Sequence, residues 1–264
     1  MHNKIEAASA YLYLWPGKFL YIGNSIQTKV HGHHALQIAV STSKPFRMKL
    51  SDQWEDFHAV VIKPDHQHEC ILEDKQVFFF GLDPESSEAV AIQEGYLQGA
   101  GYRSIDAAIM DPFIRLMEEE LKRDCSPENI SAHMKFFIEQ LSGKFSPPSD
   151  IDQRLRNVIA VINNALPEKI TLKELAAEAF LSESRLIHLF KEQIGIPIRV
   201  YILWNRLIHA VFAVVNGATM TEAAYTAGFA DSAHFSRIFA RMLGTAPTGL
   251  LKNSQNVQAY ICTP

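Results

Sequence analysis

Apolar residues recur at helical spacing in a stretch that occurs twice near the end of the chain. Residues 172–195 (copy one) and residues 220–244 (copy two) each predict two short helices around a tight turn. In both copies an apolar trio at i, i+3 and i+4 marks the buried face of the second helix. The trios are Leu186, Leu189 and Phe190 in copy one, and Phe235, Ile238 and Phe239 in copy two.

Basic side chains lie at helical spacing on the opposite face of each second helix. They are Arg185 and His188 in copy one, and His234, Arg237 and Arg241 in copy two. Because residues opposite a buried trio must point to solvent, both helices present a basic, exposed face. Two such helices on paired helix-turn-helix units suggest insertion into DNA.

The two copies differ by one residue in the turn. Glu174 aligns with Glu222 at an offset of 48, whereas Leu186 aligns with Phe235 at an offset of 49. Ser182 is placed to cap the second helix of copy one, and Asp231 or Ser232 is placed to cap that of copy two. An apolar-rich helix over about residues 200–215 is predicted to join the copies.

The first half of the chain has a different pattern. Short apolar runs between about residues 11 and 80 are separated by Gly, Pro, Asn and Asp, which favours an all-β barrel or sandwich. Two helices are then predicted, meeting near residues 125–127. Their apolar stripes serve either as core or as a dimer contact; they are Phe113, Leu116, Met117 and Leu121, then Met134, Phe137, Ile138 and Leu141.

A linker composition at residues 142–149, with two prolines, divides the chain. We therefore predict domains over residues 1–145 and 150–252, the second entirely helical. The chain of 264 residues has a net charge of −4, but its halves differ. Residues 1–150 carry 14 Lys and Arg against 21 Asp and Glu, a net of −7, and the remainder carries 11 against 8, a net of +3. The charge excess therefore favours the second half as the nucleic-acid-binding part.

The second half resembles the DNA-binding domain of AraC/XylS transcription regulators. The matching text is LKELAAEAFLSESRLIHLFKEQIG, IPIRVYILWNRL and TEAAYTAGFADSAHFSRIFARMLGTAP. The resemblance implies that the second helix of each copy enters a separate major-groove segment. Carried over, the DNA-binding positions are Ser184, Arg185, Ile187, His188 and Lys191, then Ser232, His234, Ser236, Arg237 and Arg241.

Three positions depart from the family pattern. Phe180 stands where the first turn usually has Gly, Ala240 stands at a position commonly Lys or Arg, and residues 248–251 lack the usual aromatic-basic ending. Ile187 offers only apolar contact to a thymine methyl group, whereas Arg237 can make a bidentate contact to guanine. We therefore expect copy two to carry most of the sequence information.

Histidines cluster in the β-rich half, at residues 31, 33, 34, 66 and 68. Alternation predicts His31 and His33 on one face of a strand, and His66 and His68 on one face of another. Their spacing resembles a divergent cupin, the small barrel that sensor domains of the same family share. Three imidazoles can bind Zn, Fe or Ni, but Gln37 stands near where the cupin motif has a metal-binding Glu. The expectation is therefore an effector pocket lined by His31, His33, His34 and His68, with no metal and no cofactor.

Together these patterns predict a multidomain α+β protein with a cupin-like N-terminal β-barrel and an all-α C-terminal domain. The predicted function is that of a non-enzymatic transcription regulator controlled by a small-molecule effector. Its expected partners are a double-stranded DNA operator, the effector, a second copy of the chain and, as a candidate, RNA polymerase, with no membrane. The three cysteines contain no Cys-x-x-Cys, which favours a reducing cytoplasm. The alternatives are a metal-dependent cupin enzyme fused to a DNA-binding domain, and a DNA-binding dimer without ligand.

Overall fold

The computed structural model describes residues 10–15, 17–24, 26–72, 76–123, 126–143, 151–165, 170–247 and 257–261. The chain forms two compact units. The first unit contains Met1–Pro147 together with Met242–Pro264, and the second contains Pro148–Arg241. The predicted division therefore differs at its C-terminal end, because the segment after Met242 packs with the first unit. Most of the predicted linker lies outside the described residues.

The strands of the first unit form two sheets. Those of the larger sheet are β1 (Ala10–Trp15), β2 (Lys18–Gly23), β4 (Leu36–Ser41), β7 (Ala59–Ile62), β9 (Val77–Leu82), β10 (Tyr102–Ser104) and β11 (Val257–Ile261). Those of the smaller sheet are β3 (Ile26–Gln27), β5 (Phe46–Lys49), β6 (Trp54–Phe57) and β8 (Glu69–Leu72). The strand orders are β10-β7-β4-β9-β2-β1-β11 and β3-β8-β5-β6. Because the described sheets stay separate, the predicted cupin-like barrel is an open one.

The larger sheet is buried on both faces. In β9 alternate residues enter different cores, Phe78 and Phe80 on one face and Val77 and Phe79 on the other. The second core also contains Phe46 and residues from both sheets. Because successive side chains of a strand point to opposite faces, β9 contributes to two layers. One layer lies between the two sheets, and the other lies between the larger sheet and the helices.

The helices of the first unit cover the other face of the larger sheet. They are α1 (Ser87–Ala91), continued by a π-helical turn over Ile92–Leu97, α2 (Ala107–Leu121) and α3 (Pro127–Ser142). The hydroxyl of Ser126 accepts a hydrogen bond from the Asn129 N–H, and Pro127 occupies the first position of α3, where its missing N–H costs nothing. The two helices therefore begin and end close to where the sequence predicts.

The apolar stripes of α2 and α3 belong to the core of the first unit. Phe113, Met117 and Phe137 are fully buried. The rings of Phe113 and Phe137 stack with centroids 4.3 Å apart, and Phe78 and Phe80 lie within 5.5 Å of Phe113. Since these side chains contact the sheet, the core interpretation of the stripes is confirmed for them, and a dimer contact by this helical pair stays a prediction.

A C-terminal strand joins the first unit, although the sequence predicts only helices after residue 150. Strand β11 pairs in parallel with β1, in a register that runs from Ala10 opposite Val257 to Leu14 opposite Ile261. The rings of Tyr13 and Tyr260 stack with centroids 4.8 Å apart. The chain therefore returns to its first strand after completing the second unit.

The described part of the second unit is helical. Its helices are α4 (Gln153–Ala165), α5 (Leu172–Glu178), α6 (Glu183–Ile194), α7 (Ile198–Val215), α8 (Met220–Thr226) and α9 (Ser232–Leu243). Helices α5 and α6 form copy one, α8 and α9 form copy two, and α7 joins them. Helix α7 is long and apolar enough to span a membrane by length and composition alone, but its buried residues include Tyr201, Trp204 and Leu207, which lie in the interior of a globular unit.

The first helix of each copy begins with the same capping box. Thr171 accepts from the Glu174 N–H at 3.2 Å, and the Glu174 carboxylate accepts from the Thr171 N–H at 2.7 Å. Thr219 and Glu222 repeat both bonds at 3.2 and 2.8 Å. The pattern Thr-x-x-Glu is a sequence signal for a helix start that the hydrophobic periodicity alone does not use.

The two turns share a left-handed residue and differ by the predicted insertion. Phe180 in copy one has φ 53° and Gly228 in copy two has φ 78°. The residue after each, Leu181 or Phe229, donates its N–H to the carbonyl five residues earlier, at 2.9 Å in both copies. The departure at Phe180 therefore leaves the turn geometry unchanged and places a bulky residue in a conformation that glycine adopts without strain.

We predict that Phe113→Ala lowers the free energy of unfolding by about 3–5 kcal/mol, because it leaves a cavity among the three aromatic rings of Phe78, Phe80 and Phe137. The measurement is urea unfolding followed by circular dichroism. Phe136→Ala is the matched control, since Phe136 lies on α3 with 36% of its side chain exposed and should change stability by less than about 0.5 kcal/mol. Equal losses from both variants would contradict the assigned core.

We predict that Phe180→Gly raises the free energy of unfolding by about 1 kcal/mol. The ring is 91% exposed, so its removal costs little, while the strain of a left-handed bulky residue is relieved. Gly228→Ala, measured by the same denaturation, should show the opposite sign. A destabilising Phe180→Gly would mean that the exposed ring makes a contact worth more than the strain.

Candidate nucleic-acid interface

The orientation of α6 is set by its buried trio. Leu186 and Phe190 are fully buried and Leu189 is 5% exposed, so the predicted trio is confirmed. The Ser182 hydroxyl accepts from the Arg185 N–H at 3.3 Å and caps the helix as predicted. The opposite face is exposed; the five predicted DNA-binding side chains on it are Ser184, Arg185, Ile187, His188 and Lys191.

Helix α9 presents a narrower exposed face than its sequence suggests. Phe235, Ile238 and Phe239 are buried, and the Asp231 carboxylate accepts from the His234 N–H, which identifies Asp231 as the cap. Among the predicted DNA-binding residues, Arg237 and Arg241 are exposed; the half-buried ones are Ser232, His234 and Ser236.

One of the half-buried side chains of α9, that of His234, contacts the turn. The His234 ring meets the edge of Phe229, with centroids 5.4 Å apart. Two further exposed positions of α9 are alanines, Ala233 near the cap and Ala240 directly before Arg241, and the sequence analysis did not assign either to DNA contact. Arg237 and Arg241, one turn apart, are therefore the side chains that project furthest from this helix.

The two exposed faces differ in charge. Helix α6 carries Arg185 and Lys191 against Glu183 and Glu192, a net of zero, whereas the only charged residues of α9 are Arg237 and Arg241, a net of +2. The described part of the chain provides neither arginine of α9 with an ion-pair partner. Both guanidinium groups therefore remain available to an anion.

Arg185 has an acidic neighbour. Hydrogen bonds from Arg154 hold the pKa of Asp152 at about 2, and the positive charge of Arg185 acts in the same direction. Arg154 balances the charge of Asp152 in an ion pair of 2.6 Å, so this carboxylate changes the potential near α6 little. The net charges of the two helices therefore favour copy two as the stronger anion-binding helix.

The four histidines predicted to line an effector pocket are buried in the first unit and divide into two groups. His34 lies 3.3 Å from an Asp65 oxygen and 2.8 Å from a Glu85 oxygen. Burial opposes protonation of His34, but these hydrogen bonds outweigh it and raise its pKa to about 9. His34 is therefore a buried cation between two carboxylates, and no local pattern predicts this, because Glu85 lies 51 residues away along the chain.

The other three histidines converge. His31, His33 and His68 are buried, and one ring nitrogen of each lies within 4.8 Å of the corresponding nitrogens of the other two. His33 Nε2 lies 2.6 Å from Gln37 Oε1. Gln37 therefore contacts the histidine cluster, at the place where the cupin motif has its metal-binding Glu. The alternation that places His31 and His33 on one side of the chain is thus confirmed, while His66 turns away to donate to the Leu50 carbonyl.

A family model described as a helix-turn-helix domain matches residues 175–253. The chain is 30% identical over 155 residues to the probable transcriptional regulator LumQ of Photobacterium leiognathi, a match that covers 57% of this chain and 62% of LumQ. It is 27% identical over 113 residues to the arabinose operon regulatory protein of Escherichia coli K12, covering 42% and 38%. The chain thus spans less than two thirds of the length of these curated relatives.

A likeness in fold extends over both units. The crystal structure of ToxT from Vibrio cholerae O395 superposes with a TM-score of 0.59 at 14% sequence identity, covering 89% of this chain and 96% of ToxT. A β-rich unit followed by paired helix-turn-helix units, the matched domain model and the named relatives agree with the motif resemblance. Residues 175–253 therefore form a helix-turn-helix domain, and the chain is similar to transcription regulators that carry this domain.

Proposed function

We propose that this protein is a transcription regulator that binds a specific double-stranded operator through α6 and α9. The observation that carries the proposal is the pair of exposed helix faces, each opposite a fully buried apolar trio. A helix of this kind fits the major groove, which is wide enough to admit it. Curated relatives with regulatory names, including the RhaR activator of Enterobacter sp. strain 638, support this class of function and a role without catalysis.

We assign different DNA contacts to the two helices. The bidentate guanidinium of Arg237 suits the O6 and N7 acceptors of guanine, and Arg241, one turn further along, suits a phosphate. On α6 the hydroxyl of Ser184 and the imidazole of His188 suit base edges, whereas Ile187 suits a thymine methyl group. Lys191 in the last turn of α6 suits a phosphate. Because α6 has no net charge, we assign most of the electrostatic affinity to α9.

The regulatory input is assigned to the first unit. One crystal structure of ToxT from V. cholerae contains a bound unsaturated fatty acid, which supports a small-molecule effector for a protein of this fold. An effector shifts DNA affinity only by as much as its own affinity differs between the two conformations. A second copy of the chain and RNA polymerase are the other proposed partners, and the cytoplasm is the proposed location.

We predict that Arg237→Ala weakens operator binding by about 1–3 kcal/mol and relaxes the preference at one base pair, because a bidentate contact to guanine is lost. The operator is first selected from random duplexes with the full-length protein at fixed, near-physiological salt. Affinity for the operator and its single-base variants is then measured by fluorescence anisotropy. Arg115→Ala, which removes an exposed arginine of the first unit, is the matched control and should bind as the wild type does. Equal weakening on every sequence would assign Arg237 to phosphate contact and contradict its base-reading role.

We predict that hydroxyl-radical footprinting of the selected operator protects two segments on one face, about one helical turn, roughly 10 bp, apart. The reason is that α6 and α9 belong to one unit and are joined by the 18-residue helix α7. Arg237→Ala should weaken protection of one segment more than the other. A single protected segment would contradict the use of both copies.

A further inference from the structure

Three buried imidazoles lie together in the first unit without an assigned role. The ring centroids of His31 and His68 are 4.1 Å apart, those of His33 and His68 are 5.2 Å apart, and those of His31 and His33 are 5.7 Å apart. The backbones of His31 and His68 exchange two hydrogen bonds of 2.9 Å, an isolated antiparallel bridge between the segment after β3 and the start of β8. Backbone pairing thus fixes two of the three rings at one place.

The hydrogen bonds of two of these rings determine which nitrogen carries the proton. His31 Nδ1 lies 2.8 Å from the Lys29 carbonyl and His68 Nδ1 lies 2.9 Å from the His66 carbonyl. A carbonyl only accepts, so each Nδ1 must donate and each Nε2 keeps its lone pair. This arrangement, in which the far nitrogen is held by a carbonyl, is the one that orients a histidine as a metal ligand.

His68 Nε2 is a buried acceptor that no hydrogen bond satisfies. Its residue is 2% exposed and this nitrogen has no partner among the described residues. Buried polar atoms in native proteins are almost always satisfied, and an unsatisfied one at a convergence of ligating atoms indicates a missing ligand.

Burial disfavours the charged form of all three rings. Burial, together with the proximity of His33, lowers the pKa of His31 to about 4, and burial with the proximity of His33 and His31 lowers that of His68 to about 2. Burial also lowers the pKa of His33. The His33 ring already uses both nitrogens, because Nε2 lies 2.6 Å from Gln37 Oε1 and Nδ1 accepts from the Ala35 N–H at 3.4 Å, so a metal bound to this ring replaces one of these bonds.

We propose that His31, His33 and His68 bind one divalent transition-metal ion. An all-imidazole set suits Zn²⁺, Co²⁺, Ni²⁺ or Cu²⁺ and does not suit Mg²⁺ or Ca²⁺, which require oxygen ligands. A tetrahedral ion with bonds of about 2.0–2.1 Å brings its ligating nitrogens to about 3.4 Å from one another. Nitrogens that lie up to 4.8 Å apart therefore approach one another by up to roughly 1.4 Å when the ion binds. The Cys70 thiol, whose pKa burial raises to about 12, stays protonated and does not join the set.

The metal would fasten a segment that also contacts Gly244 of the first unit. The Lys29 N–H donates to the Gly244 carbonyl at 2.8 Å, and both residues belong to the first unit. A Cβ on Gly244 would lie 2.5 Å from His31 Nδ1 and 2.6 Å from the Lys29 carbonyl oxygen, so only glycine allows this approach. Ordering of His31 by a metal therefore orders Lys29 and its bond to Gly244.

The test is titration of the metal-free, full-length protein with Co²⁺, followed by its visible absorption and by equilibrium dialysis. We expect about one equivalent to bind, with the intense absorption of tetrahedral cobalt, and Zn²⁺ to displace it. His33→Ala and His68→Gln should each weaken binding by more than the roughly 10–100-fold cost of losing an outer-shell partner. His58→Ala, which removes an exposed histidine, should bind Co²⁺ as the wild type does.

His68→Gln is chosen to preserve the fold, because the amide of the introduced glutamine can still donate to the His66 carbonyl. Circular dichroism establishes that each variant is folded before it is titrated. Failure of the wild type to take up one equivalent, or unchanged uptake by both folded variants, overturns the site. Co²⁺ should also slow hydrogen exchange of the Lys29 amide in the wild type, and unchanged exchange there would overturn the fastening role. These measurements use no DNA, so their outcome is independent of the operator-binding proposal.

Discussion

The burial of three apolar side chains on each second helix is the constraint on which the rest of the helical unit depends. Once Leu186, Leu189 and Phe190 are fixed against the neighbouring helices, α6 cannot rotate about its axis, and the identity of every exposed residue follows. The same holds for α9. The capping boxes and left-handed turn residues set where each helix starts, but the apolar trio determines what it offers to a partner.

Local patterns in the sequence were sufficient for the helical unit. Period-3.6 spacing identified the helices, and the change of offset from 48 to 49 correctly placed one extra residue in the second turn. Position 180 was expected to alter the turn, yet the backbone adopts the left-handed conformation there with phenylalanine. Short-range hydrogen bonds such as that from the Leu181 N–H are available to any residue, so the surrounding helices impose the turn.

The sequence patterns did not predict which residues far apart in the chain lie together in the fold. The pairing of β1 with β11 joins residues about 250 apart, and no local signal marks a parallel partner at that distance. The histidines illustrate the same limit. Alternation placed His31 and His33 on one side, but only the folded chain reveals that His34 belongs with Asp65 and Glu85 while His68 joins the other two.

The return of the chain to β1 makes the helical unit an insertion within the first unit rather than an appendage. Its polypeptide leaves the β-rich unit near residue 147 and re-enters it near residue 242. A single break in either connection would leave the two units covalently joined through the other. The arrangement also means that the first unit is completed by residues synthesised after both helix-turn-helix copies, so β11 can pair with β1 only once those copies have left the ribosome.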